Sequence, residues 1–531
     1  MEKGGNMKVV HLSSVDFWEQ GLLAYRIHKG VEKEGVESLF VTFLKSSGDP
    51  SVKAIIKDPV FKDKIKLVEN MPYNIAPPLI EIFEDWRNKL GVRIMSYEGE
   101  VTYSLPYSDI DLGNLDCINK ADIIHIHWVP GLVDWELAPL FFLGKHVVIT
   151  MYDLSFFTGG CDLPIAIDCK GYLKGCIKCP EVMEDAQPLI SDAWQKKREL
   201  FELMNFKIVV QSTFLKNMVE EIGIKDVELI LPSSPFLDYK SVTKSRARDI
   251  LGIEQNKNVI ITVVPSVENK RKGIKNIIEA INILIEREEV HNPYFILIGA
   301  DYLDLDIHVT FPIHHVPIVP SEEVLSWYYR ASDVYVSGAI YDPINLYSLD
   351  AMAMGVPVVG FSETALEDCV THKKTGYIAE KNNIDDLAEG IKFIFQMKNR
   401  SKAIQRQVKS IIKKEYSLDG QTKKYVNLYQ SLLKQKQRIE IDSLIKWGEK
   451  FFEKGRKDIA TRIFEKLLEI DNLNPYLLNN IGVIYWENRH YFKALEYFKK
   501  AHKINPHDKH IKENMLKAQS AIGLDKLGGN L

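Results

Sequence analysis

Short apolar runs alternate with amphipathic stretches along most of the chain. The runs have the length of buried parallel strands, and the stretches between them carry apolar residues at helical spacing, as at 22–34. This βα rhythm predicts an α/β fold built on doubly wound parallel sheets. In the first half of the chain, the runs that predict strands are 8–14, 38–43, 121–128, 146–150, 207–212 and 227–231.

The same rhythm starts again after a polar link that follows Pro232. Two rounds of it predict two Rossmann-like domains, one over 7–232 and the other over 233–398. Two further helical patterns, at 403–414 and 420–433, fall in a closing segment at 399–438. In the second round, the predicted strands are 259–264, 294–299, 315–318, 333–337 and 356–361.

The C-terminal residues follow a different pattern, in which apolar and small positions recur with a period of 34. Trp447, Gly448, Phe451, Ala460 and Phe464 recur as Ile481, Gly482, Tyr485, Ala494 and Phe498. This period is that of the tetratricopeptide repeat, and it predicts an all-α module over 441–523 with two repeats and a capping helix. Since isolated modules usually need three or more repeats, we expect this one to dock on the preceding α/β domains or on a second copy and to bind a protein or peptide partner.

The segment 333–361 carries two acids eight positions apart, Asp342 and Asp350. Its pattern predicts a strand, a loop that holds Asp342, a helix around 346–354 that holds Asp350, and a second parallel strand. Gly355 suits the left-handed residue that ends a helix, and Pro357 prevents the helix from continuing. Both acids are expected to face one crevice at the carboxyl end of a strand, where a carboxylate can hold a sugar diol.

This segment resembles the nucleotide-sugar signature of retaining GT-B glycosyltransferases of family four, the glycosyl transferases group 1. Their signature is Glu-x7-Glu followed by Ala-Met-Ala-x-Gly-x-Pro-Val-Val; this chain keeps the tail but has aspartate at both acids. The resemblance extends over about 7–435. It implies a GT-B fold, with two Rossmann-like domains facing a cleft that holds the active site. It also implies a UDP-, GDP- or ADP-linked sugar donor and no catalytic metal.

The resemblance also implies roles for single residues of the donor site. Asp342 takes the position of the catalytic acid on the donor sugar, and Asp350 that of the acid on the ribose. A basic loop before a helix holds the diphosphate, and a lysine there adds its charge to the positive end of the helix dipole. The arginine that many members have six residues earlier is Ser266 here. The donor-binding residues so implied are Lys270, Arg271, Lys272, Gly299, Asn345, Leu346 and Asp350.

The segments 122–128 and 150–180 resemble one subgroup of the family, mostly associated with bacterial surface-polysaccharide assembly. The subgroup has His-Asp-Met-Trp-Pro-Phe-Thr-Gly-Gly-Cys followed by three further cysteines, and this chain repeats the cluster as C-x7-C-x6-C-x2-C. One CxxC with two nearby thiols suits a structural zinc in a reduced cytosol, while free thiols and a redox pair stay open. The four candidate ligands are Cys161, Cys169, Cys176 and Cys179.

The acceptor side departs from the family at two places. The subgroup's His-Asp pair is Tyr152-Asp153 here, and we expect both residues beside the reacting centre. A tyrosine donates a hydrogen bond but takes up no proton near neutral pH. The glycine-rich loop after the first strand keeps only Gly21. His127 and Trp128 are further acceptor-side candidates, and a buried structural role is the alternative for this histidine.

Composition narrows the class of protein. At 531 residues the chain is long enough for three or four domains, and 46% hydrophobic with 26% charged residues is typical of a globular protein. A net charge of −4 excludes a globally basic nucleic-acid binder. No apolar run reaches the roughly 18 residues of a membrane span, and no secretory signal is visible. We therefore expect a cytoplasmic protein.

The closing segment 399–438 is strongly basic, with 11 Lys and Arg against two Asp and Glu. Such a helical patch suits peripheral contact with an anionic membrane, although a solvated helix face explains the same composition.

The sequence predicts a retaining glycosyltransferase that moves a sugar from a nucleotide-sugar to a glycan, lipid-linked or protein acceptor. The altered acids, Tyr152, the missing arginine and the lost glycines also fit a catalytically degenerate scaffold or partner subunit that acts through its tetratricopeptide tail. A sugar-nucleotide epimerase shares the fold but has no use for the cysteine cluster or the tail.

Overall fold

The structure is a computed structural model. It describes residues 7–55, 103–108, 110–239, 242–267, 269–300, 308–317, 319, 321–397, 401–435 and 440–525. The chain forms two compact units. One comprises Met1–Glu136, Lys145–Glu199 and Phe206–Lys436, and the other comprises Gln437–Leu531 with the short segments Leu137–Gly144 and Leu200–Asn205. No helix in the described ranges is long and apolar enough to cross a membrane.

The N-terminal α/β domain is built on a seven-stranded parallel sheet of order β3-β2-β1-β4-β5-β6-β7. Its strands are β1 Lys8–Val15, β2 Glu37–Leu44, β3 Val52–Ala54, β4 Ile123–Ile126, β5 His146–Met151, β6 Phe206–Val210 and β7 Val227–Leu229. The helices described along this part are α1 Trp18–Lys33, α2 Asp116–Lys120, α3 Ala138–Phe142, α4 Gln187–Leu203 and α5 Thr213–Glu221. The order 3-2-1-4-5-6 is that of the doubly wound nucleotide-binding fold.

The C-terminal α/β domain repeats this order in a six-stranded parallel sheet, β10-β9-β8-β11-β12-β13. Its strands are β8 Asn258–Ser266, β9 Pro293–Ala300, β10 Ile313–Val316, β11 Val334–Val336, β12 Val358–Phe361 and β13 Gly376–Ala379. Its helices are α6 Lys244–Leu251, α7 Ile274–Glu286, α8 Glu322–Ala331, α9 Leu346–Ala353 and α10 Ile384–Gln396. The predicted fold class is confirmed. The edge strands β3 and β13 were not predicted from the sequence.

The central strand β8 explains why these strands appear as continuous apolar runs. Val259, Ile261 and Val263 point into one hydrophobic cluster, and Ile260 and Val264 point into another. Successive side chains of a strand alternate between the two faces of a sheet, so both faces of this sheet are covered. The carboxyl ends of its strands remain the place where loops can present polar groups.

Two helices follow the second sheet, α11 Ser401–Glu415 and α12 Leu418–Leu433. The last of these returns to the N-terminal domain, where it packs on α1. Tyr425 and Tyr429, one helical turn apart, enter the core formed by Val9, Val148 and Val209. Helix α12, which follows the C-terminal α/β domain along the chain, is therefore held on the N-terminal domain by buried apolar contacts.

The described residues 440–525 of the second compact unit form five helices: α13 Ile441–Glu453, α14 Lys457–Ile470, α15 Pro475–Glu487, α16 Tyr491–Ile504 and α17 Lys509–Asp525. Its glycines have the packing role that the 34-residue period predicts. A Cβ atom on Gly448 would lie 2.4 Å from Cε1 of Phe464, and one on Gly482 would lie 2.6 Å from Cε1 of Phe498. In both repeats the phenyl ring takes the space that any larger residue needs, so the paired helices approach closely.

Candidate active site

Loops at the carboxyl ends of strands from both sheets meet in the first compact unit. Lys272 follows β8, and Asp342 follows the neighbouring strand β11. Nζ of Lys272 lies 3.4 Å from Oδ2 of Asp342. The same ammonium lies 3.3 Å from Oε1 of Glu19, which is in the first turn of α1 and follows β1. Ligands of open α/β sheets bind at this edge, so these side chains form the candidate site.

A tight turn aims the basic residues. Lys270–Lys272 form a single 3-10 turn, whose start is capped by the side chain of Asn269, which accepts the Arg271 N–H at 3.1 Å. Gly273 ends the turn at φ +63°, and a Cβ atom there would lie 1.9 Å from the carbonyl oxygen of Gly338. No other residue fits this close approach of two loops. The turn directs Lys272 into the site and leaves Lys270 exposed to solvent.

Asp342 is held by its own loop. Its Oδ1 accepts the N–H groups of Ile344, at 3.4 Å, and Asn345, at 3.2 Å. Asn345 takes the left-handed conformation, φ +54°, and begins α9. Burial alone would lower the pKa of Lys272, but the carboxylates of Asp342 and Glu19 outweigh it and raise that pKa above its ordinary value. The lysine is therefore a fixed positive charge in the site.

A small cavity lies beside this pair. Its volume is about 10 Å³, enough for about one water molecule. It is lined by Lys272, Asp342 and Asn345 together with strand residues Thr262, Val263, Val264, Tyr335 and Ser337 and helix residues Tyr347 and Ser348. All of these residues belong to the C-terminal α/β domain.

Asp350 does not line this cavity, contrary to the expectation that both acids face one crevice. It is 2% exposed, and Ser234 Oγ, in the link between the two α/β domains, donates a hydrogen bond of 2.7 Å to its Oδ1. Burial raises the pKa of Asp350 to about 6, against the effect of Arg26 and this hydrogen bond. In this structure Asp350 fixes the interdomain link.

Tyr152 and Leu346 come together across the cleft. They pack with Leu23 of α1 in one buried apolar cluster, against which Trp128 also lies. The Tyr152 hydroxyl is 2.9 Å from Nδ1 of His127, and burial raises the pKa of this tyrosine. Tyr152 is therefore a neutral group that closes the cleft between the domains.

His127 belongs to a buried histidine cluster, which corrects its placement on the acceptor side. His11, His125 and His127 are fully buried, and among the described residues they form the only group of three potential metal ligands within 4.8 Å of one another. Both ring nitrogens of His125 already have partners, the Tyr429 hydroxyl at 2.6 Å and Thr150 Oγ1 at 2.7 Å.

The nitrogens of His127 are likewise engaged. Nδ1 contacts Tyr152, and Nε2 is 3.0 Å from Nδ1 of His11. Burial lowers the pKa of all three rings, that of His127 to about 3. The cluster therefore suits a neutral hydrogen-bonded network, and His127 has no ring nitrogen left for a metal or an acceptor.

Asp153 lies in the loop after β5, close to a second acid, Asp162. Its Oδ1 accepts the Ser155 N–H at 2.8 Å. Burial, and to a smaller extent the negative charge of Asp162, raises the pKa of Asp153 to about 6. The buried Lys197 fixes this loop by donating to the carbonyl groups of Ser155, at 2.6 Å, Ser104, at 3.0 Å, and Thr158, at 3.3 Å. Asp162 faces the other domain, where it lies 3.1 Å from the Arg271 guanidinium.

The four cysteines of the cluster line one buried cavity of about 10 Å³. Two backbone donors point at sulfurs, Gly159 N–H at Cys176, 3.2 Å, and Gly171 N–H at Cys169, 3.3 Å. The Tyr103 hydroxyl forms a hydrogen bond of 3.1 Å with the Cys179 thiol. Burial raises the pKa of Cys176 to about 11 and raises that of Cys161 as well.

Two predicted glycines have packing roles in the structure. A Cβ atom on Gly21 would lie 2.7 Å from the Val15 carbonyl oxygen, so glycine lets α1 approach β1. A Cβ atom on Gly299 would lie 2.9 Å from the Val264 carbonyl oxygen. Backbone contact within each domain accounts for both positions.

Sequence reasoning missed Glu19 and Asp162. Each becomes notable because it meets a basic residue more than 100 positions away, at a contact between the two α/β domains. Such a pairing leaves no local signal in the sequence.

Two facing α/β domains with parallel sheets, a helix that returns from the second to the first, and loops that meet at the strand ends define the GT-B fold. Residues 243–410, which include Lys272 and Asp342, match the family Glycosyl transferases group 1. Residues 475–508 match the tetratricopeptide repeat.

The chain is 27% identical over 193 residues to an uncharacterized glycosyltransferase of Methanocaldococcus jannaschii, covering 35% of this chain and 48% of the relative. It therefore spans about half the length of that relative. It is 22% identical over 346 residues to a glycogen synthase of Fusobacterium nucleatum, covering 59% of this chain and 72% of the relative.

Solved structures share the fold. Sucrose-phosphate synthase from Thermosynechococcus elongatus is similar with a TM-score of 0.53 at 15% identity, over 80% of this chain and 99% of that one. Anabaena HepE, solved in complex with UDP-glucose, is similar with a TM-score of 0.52 at 13% identity, over 80% and 100%.

Proposed function

We propose that this chain is a retaining glycosyltransferase that uses a nucleotide-sugar donor. One observation carries the proposal: Lys272 and Asp342 meet at 3.4 Å at the carboxyl ends of neighbouring strands, inside the domain that matches the family. In this proposal Lys272 and Arg271 hold the diphosphate, and Asp342 accepts hydrogen bonds from the sugar. The UDP-glucose complex of the structurally similar Anabaena protein supports a nucleotide-sugar as the ligand.

The geometry suits transfer without a protein base. Lys272 and Arg271 place positive charge where the leaving diphosphate gains negative charge, which is the main electrostatic contribution that such a site can make. Asp342 is already fixed by the two N–H groups of its own loop, so little ordering is needed when a sugar binds. Closure of Leu23, Tyr152 and Leu346 over the cleft would exclude water from the reacting centre.

We propose that the acceptor side includes Asp153 and Trp128. Two observations support this: Trp128 packs against the cluster of Leu23, Tyr152 and Leu346, and Asp153 follows Tyr152 in the loop after β5. The resemblance of 150–180 to enzymes of surface-polysaccharide assembly favours a glycan or lipid-linked acceptor. The tetratricopeptide module would recruit a protein partner, and the basic segment around α11 would contact an anionic membrane from the cytoplasmic side.

A turnover assay tests the reaction. We expect release of a nucleoside diphosphate from one donor, and a product whose anomeric configuration by NMR equals that of the donor. Asp342→Asn should lower turnover by about 100-fold, because a sugar contact in the transition state is lost.

The competing hypothesis is a degenerate scaffold, favoured by the engagement of Lys272 with Glu19. The scaffold hypothesis predicts turnover only after a partner protein is added. For the transferase itself, a product whose anomeric configuration is inverted relative to the donor would contradict the retaining mechanism.

We also propose a structural zinc at Cys161, Cys169, Cys176 and Cys179. The shared cavity and the donors that point at the sulfurs suit thiolate ligands. The four thiols would hold the ion as thiolates, and the ion would cross-link the loop that carries them. Among the described residues, the cysteines do not form a group of three within 4.8 Å.

Metal analysis tests this site independently of activity. We expect about one zinc per chain and, after exchange into cobalt(II), sulfur-to-cobalt charge-transfer absorption. Cys176→Ser should lose both signals, and Cys117→Ser, outside the cluster, should keep both. Purified protein that holds no zinc and shows no cobalt absorption would leave the free thiols as the correct description.

A further inference from the structure

Both cations of the proposed diphosphate site are paired with carboxylates of the opposite domain. Lys272 lies 3.3 Å from Glu19, and Arg271 lies 3.1 Å from Asp162. The four side chains are only 12–20% exposed. Ion pairs withdrawn from water in this way act much more strongly than surface pairs, because solvent screens them less.

The carboxylates around these two cations already outnumber them, so no net positive charge is left to attract an anion. Two positive groups, Lys272 and Arg271, face three carboxylates, Glu19, Asp162 and Asp342. A diphosphate brings further negative charge, so it can occupy this place only if some of the carboxylates withdraw. Asp342 belongs to the same domain as the cations, whereas Glu19 and Asp162 belong to the other domain. Those two can leave by a shift of one domain against the other.

Glu19 also lies where an anion is favoured. It is in the first turn of the 16-residue helix α1, whose N-cap residue Phe17 makes no side-chain capping hydrogen bond. The positive end of a helix dipole stabilises a carboxylate there, just as it would stabilise a phosphate. The carboxylate of Glu19 thus interacts with both the positive end of α1 and the Lys272 ammonium. A phosphate oxygen bound between the domains would make the same two interactions.

We propose that Glu19 and Asp162 act as intramolecular competitors of the donor's diphosphate and thereby set donor affinity. This inference rests on the proposed function, because it concerns the same site. Donor binding exchanges two interdomain ion pairs for phosphate contacts, so the two α/β domains lose their polar contacts at Lys272 and Arg271 when the donor enters. Glu19 and Asp162 set donor affinity in this account and touch no reacting atom.

Calorimetric titration of charge-neutral variants tests the proposal with inorganic pyrophosphate and UDP-glucose as probes. Pyrophosphate carries the charges of the donor's diphosphate without the sugar or the base, so its affinity reports on the cations alone. We expect Glu19→Gln and Asp162→Asn each to bind pyrophosphate about tenfold more tightly than the wild type, the size of one charge-assisted hydrogen bond. Glu34→Gln, the same charge change on the exposed residue after α1, should stay within about twofold.

The two probes separate this inference from the proposed function. Tighter pyrophosphate binding by both variants supports the inference. It does so even if no variant binds UDP-glucose or another nucleotide-sugar, although that lack of binding would count against the proposed function. Equal binding of UDP-glucose by wild type and variants keeps the proposed function and overturns the inference. Absence of pyrophosphate binding to every variant also overturns it. If one variant fails to fold by circular dichroism, the other decides, since the pairs are independent.

Discussion

Replacing Lys272 with alanine is expected to weaken binding of the preferred nucleotide-sugar by about 100-fold or more. A charge-assisted hydrogen bond contributes about 1.5–3 kcal/mol, which alone corresponds to roughly 10- to 150-fold. The substitution also leaves the carboxylate of Asp342 beside the phosphates without its cation. Both effects act in the same direction, and calorimetric titration of the variant with that donor measures their sum.

The neighbouring lysine provides a matched control. Lys270 lies in the same 3-10 turn but is exposed, so Lys270→Ala should change the affinity by no more than about threefold. Equal loss of affinity in both variants would mean that only the net charge of the turn matters. Full affinity in folded Lys272→Ala would place the diphosphate elsewhere.

Mild acid is expected to destabilise the N-terminal domain through its buried histidines. Burial lowers the folded-state pKa of His11, His125 and His127, whereas an unfolded chain titrates near 6.5. Stability is therefore complete above about pH 6.5 and is lost as the pH falls from there toward the folded-state value, about 3 for His127. The linkage relation gives about 1.2 kcal/mol per histidine between pH 7 and 5.5, or roughly 4 kcal/mol for three.

Hydrogen exchange resolves this effect within a chain of several domains. The free energy of opening for amides of β1 and β4, corrected for the intrinsic pH dependence of exchange, should fall by roughly 4 kcal/mol between pH 7 and 5.5. His11→Gln should make this fall smaller by about one histidine's share. His308→Gln, at an exposed site, should leave it unchanged. Protection that is the same at both pH values would show that the cluster is charged or open to solvent.

The sequence was sufficient for the fold because the core is periodic. The apolar run of β8 alternates between two buried faces, and the same is true of the other long strands, so run length and spacing located most of both sheets. The tetratricopeptide glycines were recognisable because Gly448 and Gly482 must each admit a phenyl ring one helix away. These constraints act within one element or between neighbouring elements.

The candidate site was predictable only in part, because its contacts join distant segments. Lys272 and Asp342 could be named since each sits in a recognisable motif at a strand end. The ion pair between Lys272 and Glu19 joins positions 253 residues apart, and the contact of Tyr152 with Leu346 joins two domains. Asp350 carries the family pattern, yet Ser234 takes its carboxylate for the interdomain link. Which partner a motif residue finds is decided by domain packing.

Calorimetric titration of the wild-type chain with UDP-, GDP- and ADP-sugars tests the central claim, that this cleft is a nucleotide-sugar site, most directly. The account predicts that one donor binds with a dissociation constant in the micromolar to millimolar range, as is usual for enzyme substrates, and that the corresponding nucleoside diphosphate competes with it. No binding by any donor, in the wild type or after release of Lys272 by Glu19→Gln, would contradict the claim. The tetratricopeptide module would then be the part of the chain in which to seek a function.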